Sequence, residues 1–224
     1  MSNNFNIIIL LLTLTLLTNA HIELRSQDPE KPLLLLRLQT KAFIQSAYAE
    51  IQYIQVYMNP YNHPVETQFN YTHIKNSIFH KFEAVFRNQT IVGRIFDKRK
   101  AKEIYDRESH LKNSNQNVER IYLGEIPAFE TVEIRFSVIQ PLKIIMNQFW
   151  SLTLKAPSHR SFSQAWDVEA EIKSNQPFNY INNPSHNIKP ELFESNSKYY
   201  KGVWNATVPL NENFVIHFRL TLKR

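Results

Sequence analysis

The stretch that decides the fold runs from Ile91 to Val138 and has three segments: IVGRIF (91–96), DKRKAKEIYDRESHLK (97–112) and YLGEIPAFETVEIRFSV (122–138). In the last segment apolar and polar side chains alternate strictly, with Val132, Ile134, Phe136 and Val138 on the apolar side. Successive side chains of a strand point to opposite faces of a sheet. The alternation therefore predicts a strand with one buried face.

The 97–112 segment predicts one short α-helix, from about Asp97 to Leu111. Asp97 can accept hydrogen bonds from the free amides of the first turn, and an apolar stripe follows at helical spacing. The start of this helix is basic, and a solvated face explains the charges at little cost. The alternative is a docking patch for a sulfated or carboxylated polymer. The candidate contacts are Arg94, Lys98, Arg99, Lys100 and Lys102.

Further strands are expected before this stretch. Leu33–Leu38 and Ala47–Met58 are apolar enough to predict central strands covered on both faces. A turn cluster at 57–64 precedes an alternating, half-buried strand over 65–72.

A hairpin and a second set of strands complete the expected fold. Ile78–Phe86 and Ile91–Phe96 flank Asn88, which suits the tip of a hairpin. Alternation recurs around 150–154, 166–172 and 214–222, whereas the Asn-, Pro- and Ser-rich stretch 174–197 predicts mostly loop. Short strands at this spacing predict a mainly β fold, a β-sandwich of antiparallel strands with one short helix.

The first residues indicate a targeting signal. An uncharged apolar run from Ile7 to Leu17 ends in Thr18, Asn19 and Ala20, which suits a signal peptide over 1–20 cleaved after Ala20. The run is shorter than the roughly 20 residues that cross a bilayer, although a retained anchor is the alternative. Residues 21–32 are expected to be a loose polar leader of a secreted, extracellular protein.

Composition excludes several classes of site. The chain has 224 residues, no cysteine, three glycines and a net charge of +6. Without cysteine there are no thiolate metal sites, thiol nucleophiles or disulfides. No two glycines lie close enough to form a phosphate-binding loop. The modest positive charge permits a polyanionic partner without requiring one.

No catalytic constellation is present in the sequence. The eight histidines lack the spacing of helical metal motifs, and the nearest candidate pairs are His63 with Glu66 and His73 with His80. The sequence therefore predicts no metal, no cofactor and no catalytic residue. Glu169 and Glu171 share one outward strand face, which suits solubilising charge better than a glycosidase pair.

Three sequons are candidate N-glycosylation sites, at Asn70, Asn88 and Asn205. The strand alternation predicts that each asparagine points outward or lies on a turn. Chance occurrence in an Asn-rich chain is the alternative, with one or two sites empty.

A set of residues in matching order resembles the VIT domain (vault protein, inter-alpha-trypsin), which opens the heavy chains of inter-alpha-trypsin inhibitor. A strand ending in Asn59 precedes a Pro64-x-Glu66 turn, and Gly93 leads into a Lys-x-x-Ala-x-x-x-Tyr helix. A Gly-x-Ile-Pro turn then opens the next strand. The matched positions are Asn59, Pro64, Glu66, Phe69, Phe82, Gly93, Lys98, Ala101, Tyr105, Gly124, Ile126, Pro127, Val132 and Pro141.

The resemblance implies a VIT-like domain over 33–157 and, more faintly, a packed β-rich extension over 158–224. The Asp-x-Ser-x-Ser loop of the von Willebrand A domain is not found in the sequence, so the heavy-chain matrix-crosslinking activity is not carried over. The implied function is a non-catalytic module that binds an extracellular protein or a glycosaminoglycan-type matrix polysaccharide, not nucleic acid. The alternatives are a hydrolase-like or inhibitor-associated enzyme fragment, and a product that has lost its A domain.

Overall fold

A computed structural model describes residues 22–72, 76–87, 89–93, 118–156, 166–186, 197–206 and 213–221. The described residues form fourteen strands. In the first half these are β1 (Ile22–Ser26), β2 (Leu34–Gln45), β3 (Tyr48–Met58), β4 (Val65–Thr72), β5 (Ile78–Phe86), β6 (Gln89–Val92) and β7 (Val118–Ile126). In the second half they are β8 (Thr131–Pro141), β9 (Lys143–Ile145), β10 (Phe149–Leu154), β11 (Trp166–Lys173), β12 (Phe178–Asn182), β13 (Tyr199–Ala206) and β14 (Phe214–Leu220).

The strands form three sheets. The largest has seven strands in the order β13-β11-β2-β3-β8-β5-β6, and the smaller sheets have the orders β1-β4-β7 and β12-β14-β10-β9. Among the described strands every pairing is antiparallel except that of β11 with β2. The mainly β prediction is confirmed, and this parallel pair is the exception to the antiparallel expectation.

One face of the seven-stranded sheet forms the core. The alternating residues of β8 lie on this face, where Val132, Ile134, Phe136 and Val138 are all buried as the alternation predicts. Phe136 stacks on Tyr53 of β3 at 4.8 Å between ring centroids. Phe69 of β4 packs on Phe136 at 5.2 Å. The three-stranded sheet therefore covers one part of this face.

The four-stranded sheet covers another part of the same face. Phe214 of β14 lies 6.0 Å from Trp166 and 5.4 Å from Trp204, measured between ring centroids. The Trp166 indole donates a 2.9 Å hydrogen bond to the hydroxyl of Thr40 on β2. Since a buried indole N–H needs an acceptor, this bond fixes the ring at the junction of the layers.

Buried polar contacts attach β1 to the large sheet. The Tyr57 hydroxyl accepts a 3.2 Å hydrogen bond from the Leu24 amide and donates a 3.1 Å bond to the Gln55 side chain. Gln55 in turn donates to the carbonyl of Ile22. Burial raises the pKa of the Tyr57 hydroxyl, so it stays a donor. The expected loose leader is therefore wrong over Ile22–Ser26, which is a strand.

The expectation that both faces are covered is also wrong for β2. Buried and exposed positions alternate along most of β2, and Arg37 and Lys41 on its outer face are exposed. The run of four leucines at 33–36 is misleading because the register of β2 against β3 shifts between Leu35 and Arg37. Leu36 is the unpaired residue of this bulge and is exposed.

The remaining expectations have mixed outcomes. A hairpin is confirmed, with Phe86 paired to Gln89, but its second strand begins at Gln89 rather than at Ile91, and the expected tip, Asn88, lies outside the described residues. The stretch 174–197 includes a strand, β12, which pairs with β14, so the loop expectation is wrong there. The predicted helix at Asp97–Leu111 lies outside the described residues. Within the described part of the chain, no helix has the length and apolarity needed to cross a membrane.

Candidate interaction surface at one end of the sandwich

Asn59 organises the end of the sandwich where β3 finishes and β8 begins. Its side chain is fully buried, and its amide nitrogen lies 2.8 Å from the carbonyl of His63 and 2.9 Å from that of Ile126. Its side-chain oxygen accepts a 2.9 Å bond from the Tyr61 amide. One side chain thus ties the turn after β3 to the turn before β8, which explains why an asparagine ends this strand.

The turn before β8 displays an aromatic side chain. The Glu130 amide donates a 3.3 Å hydrogen bond to the carbonyl of Pro127, which closes a β-turn with Phe129 as its third residue. Phe129 has φ of 59° and is 64% exposed. Glycine normally occupies such a position, because a side chain in the left-handed region costs about 1–2 kcal/mol. A large apolar group is therefore held in solvent by a strained backbone.

Aromatic and charged groups surround this turn. The rings of Tyr61 and His63 stack at 5.7 Å. The Arg87 guanidinium lies 3.0 Å from the carboxylate of Glu130, and it joins the β5–β6 turn to the turn of Phe129. We call Tyr61, His63, Arg87, Phe129 and Glu130 the display rim.

Gly124 explains another part of the sequence pattern at this end. Its φ is 84°, and it lies where the register of β7 against β4 shifts between Thr67 and Gln68. The Thr67 hydroxyl donates a 3.0 Å bond to the Gly124 carbonyl. This bulge bends β7 toward the Ile126–Pro127 turn, and any residue other than glycine at position 124 would strain the backbone.

The outer face of the seven-stranded sheet is charged but internally paired. Glu169 lies 2.6 Å from the ammonium of Lys201 and 4.0 Å from that of Lys41. The hydrogen bond from Lys201 lowers the pKa of the Glu169 carboxyl. Glu171 likewise pairs with Lys173 at 3.1 Å. This arrangement fits solvated, mutually neutralising charge and gives no concentrated field of one sign.

The predicted site residues have different positions. The basic patch of Arg94, Lys98, Arg99, Lys100 and Lys102 lies outside the described residues, as does Asn88. Asn205 is exposed on β13 and donates a 2.7 Å hydrogen bond to Asp167. Asn70 does not point outward as expected, because it is only 7% exposed on β4 between β1 and β7.

The candidate metal pairs do not form a centre in the described part of the chain. Among those residues no group of three or more histidine, aspartate and glutamate side chains is arranged to hold a metal ion. The His63 ring nitrogen lies 2.9 Å from the Pro64 carbonyl, and His80 pairs with Glu50 at 3.3 Å. His73 is not among the described residues.

Sequence reasoning did not identify Phe129. The Pro127-Ala-Phe-Glu130 stretch has the length of a β-turn, but its third position lacks the glycine or asparagine that signals positive φ. The only signal available was a large apolar residue between the Gly-x-Ile-Pro motif and an alternating strand. A large apolar residue at this position is equally consistent with a side chain buried in the core.

Comparisons with known proteins agree with this architecture. Residues 35–138 match the family model of the vault protein inter-alpha-trypsin domain. No curated protein matches the chain. Among solved structures the fold is similar to that of a Legionella pneumophila protein provisionally described as nutrient binding, with a TM-score of 0.50 and 8% identity. The alignment covers 90% of this chain and 72% of that protein, and at this identity the likeness shows the fold alone.

Proposed function

We propose, from the premise that this chain carries a VIT domain at residues 35–138, that it is a secreted, non-catalytic interaction module whose display rim binds another protein. The observation that carries this proposal is Phe129, an exposed aromatic side chain in a left-handed backbone conformation. Strain of this kind persists only where the surroundings hold it in place, and it concentrates at functional positions.

The chemistry of the rim indicates the kind of contact. Binding energy at protein interfaces concentrates in a few aromatic and arginine side chains that fill pockets on the partner. Phe129 supplies such an anchor, while Arg87 and Glu130 supply charged groups beside it. The expected partner surface is an apolar pocket bordered by polar groups.

Photocrosslinking tests this docking site. Phe129 is replaced by p-benzoyl-phenylalanine in secreted, glycosylated protein, and adducts are collected from extracellular fluid. The matched control carries the same group at Tyr199, an exposed aromatic on β13. A discrete protein adduct at position 129, competed by unlabelled chain but not by its Phe129→Ser variant, supports the rim. Equal labelling at both positions, or no adduct at 129, refutes it.

The second form of the proposal is a matrix polysaccharide partner bound through Arg94 and the Lys98–Lys102 segment. The test is binding to hyaluronan, heparin and chondroitin sulfate at low and physiological salt, since a contact through exposed charges weakens with salt. Charge reversal at Lys98, Arg99 and Lys100 is expected to abolish such binding while leaving adducts at 129 unchanged. Unchanged polymer affinity in that variant refutes the patch.

Secretion is supported by the N-terminal apolar run and by the occurrence of VIT domains in extracellular proteins. The expected product of expression in a secretory cell begins at His21. Removal of N-glycans is expected to shift its mass, and Asn205→Gln should remove part of the shift. Because Asn70 is buried, Asn70→Gln is expected to leave the glycan mass unchanged.

The groups with shifted pKa values do not favour the enzyme alternative. Within the described residues they are Asp28, Tyr53, Tyr57, Glu169, Lys201 and His217; Tyr53 and Tyr57 share β3 and Glu169 pairs with Lys201, whereas Asp28 and His217 lie elsewhere. A catalytic site would bring such groups together in one cleft. None of these six residues lines the two clefts around Ser46 and Asn175.

A further inference from the structure

The four-stranded sheet carries positive charge without acidic groups to neutralise it. Strands β9, β10, β12 and β14 contain no aspartate or glutamate, whereas Lys143, His217 and Arg219 all lie in them. On the outer face of the seven-stranded sheet, by contrast, a cation such as Lys201 is paired with Glu169. A field of one sign attracts an opposite charge most strongly where no counter-charge cancels it. The four-stranded sheet therefore suits an anionic ligand.

The strand pairing places these basic side chains in two rows on the outer face of the sheet. Alternate residues of β14 are buried in the core, so His217 and Arg219 point to the opposite face. Tyr180 of β12 lies opposite Arg219, and Asn182 lies opposite His217. Lys143 of β9 is in the row of His217 and two strands away, which is roughly 10 Å. The row of Arg219 holds no other charged residue of these four strands.

Neutral groups hold the Arg219 guanidinium in place. Its Nε donates a 2.9 Å hydrogen bond to the side-chain oxygen of Asn179, and its Nη1 donates a 3.4 Å bond to that of Gln148. The guanidinium also lies 5.3 Å from the ring centroid of Phe149. Within the described part of the chain Arg219 forms no ion pair. A guanidinium carries more N–H donors than these two bonds use, so others remain for a ligand.

Aromatic and amide groups surround this guanidinium. Tyr180 is 37% exposed, and its ring packs edge-on against Phe149 at 5.3 Å between centroids. The Tyr180 hydroxyl accepts a 2.8 Å hydrogen bond from the side chain of Asn182, which leaves its own proton to donate outward. The side-chain amides of Asn179 and Gln148 offer donors as well as acceptors. A ligand with several hydroxyl groups can use both kinds of partner, whereas a bare carboxylate can only accept.

The turn between β9 and β10 adds an exposed apolar group beside Gln148. The Gln148 amide donates a 3.1 Å hydrogen bond to the Ile145 carbonyl, and Met146 and Asn147 between them have φ of 50° and 54°. Asparagine adopts this left-handed conformation more readily than methionine does. Met146 is nevertheless 81% exposed at the turn. A large apolar side chain is thus held in solvent next to a residue that braces Arg219.

We propose that this surface binds a terminal sugar that carries a carboxylate and an acetamido group, which is the chemistry of sialic acids. Arg219 donates hydrogen bonds to the carboxylate, and the planar guanidinium suits a two-point contact. The side-chain amides and the Tyr180 hydroxyl bind the sugar hydroxyls, and Tyr180 and Met146 pack against the acetamido methyl group. A single charge in its row matches one carboxylate better than a polymer with repeated charges. The site goes beyond the proposed function, because it includes neither the display rim nor the 94–102 segment.

Saturation-transfer NMR with 3′-sialyllactose tests the proposal. The full secreted chain is produced in cells that add no sialic acid, so that its own glycans do not compete. Transfer to the acetamido methyl group is expected to exceed transfer to the lactose part, and lactose alone should show none. Absence of transfer, or equal transfer to lactose alone, overturns the proposal.

Variants at position 219 test the role of the guanidinium in a titration with the same probe. Arg219→Gln should weaken binding at least about 10-fold, because it removes a charge-assisted hydrogen bond. Arg219→Lys should also weaken it, since an ammonium keeps the charge but lacks the planar fork. The matched control, Arg135→Gln on the large sheet, should leave binding unchanged, and urea unfolding confirms that each variant is folded.

Two competing ligands test the chemistry of the sugar. A trisaccharide ending in glucuronic acid has the carboxylate without the acetamido group, and an acidic peptide has the charge without the sugar; both should bind more weakly than 3′-sialyllactose. Equal or tighter binding of either, or 3′-sialyllactose binding that survives Arg219→Gln, overturns the proposal. None of these variants changes the rim or the 94–102 segment, so a failure here leaves the tests of the proposed function unaffected.

Discussion

Because the backbone of Phe129 is left-handed, replacing it with glycine should leave the protein more stable than replacing it with alanine. At an ordinary position the order of stability is the opposite. In ordinary backbone conformations glycine is less stabilising than alanine by about 0.5–1 kcal/mol, because glycine loses more freedom on folding. At φ of 59° alanine also carries the left-handed penalty of about 1–2 kcal/mol, which glycine avoids. Phe129→Gly is therefore expected to be more stable than Phe129→Ala by about 0.5–1 kcal/mol.

The assay is urea unfolding of both variants, with a matched pair at the preceding residue. Ala128 has no positive φ and lies in the same turn, so Ala128→Gly should be destabilising by about 0.5–1 kcal/mol. The comparison is valid when the denaturant slopes agree, because midpoints then report stability alone. If Phe129→Ala is as stable as Phe129→Gly or more stable, the backbone at 129 is not strained, and the main support for the display rim is lost.

Three other perturbations follow from the structure. Phe136→Ala should cost about 3–5 kcal/mol of unfolding free energy, whereas Arg135→Ala on the outer face should cost less than about 1 kcal/mol; similar losses would place Phe136 outside the core. Gly202→Ala should cost about 1–3 kcal/mol, because the added carbon would overlap the Trp204 ring that folds over it; a neutral result in urea unfolding would contradict this packing. Burial lowers the pKa of His217 in the folded protein, so as the pH drops from about 7 to 5 the unfolded chain binds a proton at this histidine before the folded chain does, and the folded state should lose stability. His217→Gln should flatten the dependence of the thermal unfolding midpoint on pH over this range, and an unchanged dependence would exclude the effect.

Strand β8 shows where sequence reasoning works. Its buried face follows directly from alternation, because a shift of one residue would turn Phe136 into solvent and Arg135 into the core. The same logic identifies β4 and β11. Strands β8 and β11 belong to the large sheet and β4 to the three-stranded sheet that covers it, and each turns one face toward the core, so the local alternation of residues is enough to predict which side chains are buried.

Other elements depend on contacts that the local sequence does not encode. Ile22–Ser26 is short and polar at its end, and it becomes a strand only because β4 pairs with it and Tyr57 and Gln55 bond to its backbone. The four leucines at 33–36 suggested two buried faces, but a bulge turns Leu36 outward. The pattern of apolar residues in one strand carries no information about a one-residue shift in its pairing with the neighbouring strand.

The display rim and the completion of the core depend on different parts of the chain. Every residue of the display rim, from Tyr61 to Glu130, lies within the segment that matches the VIT family model. Strands β11 and β14, by contrast, come from the 158–224 extension. The extension is an integral part of both sheets, because β11 pairs with β2 in the large sheet and β14 pairs with β10 in the four-stranded sheet. The family-matched strands therefore do not complete the core alone, since Trp166 of β11 packs on Phe214 of β14. The turns that hold the display rim depend instead on Asn59 and its bonds to the carbonyls of His63 and Ile126, which all lie within the matched segment.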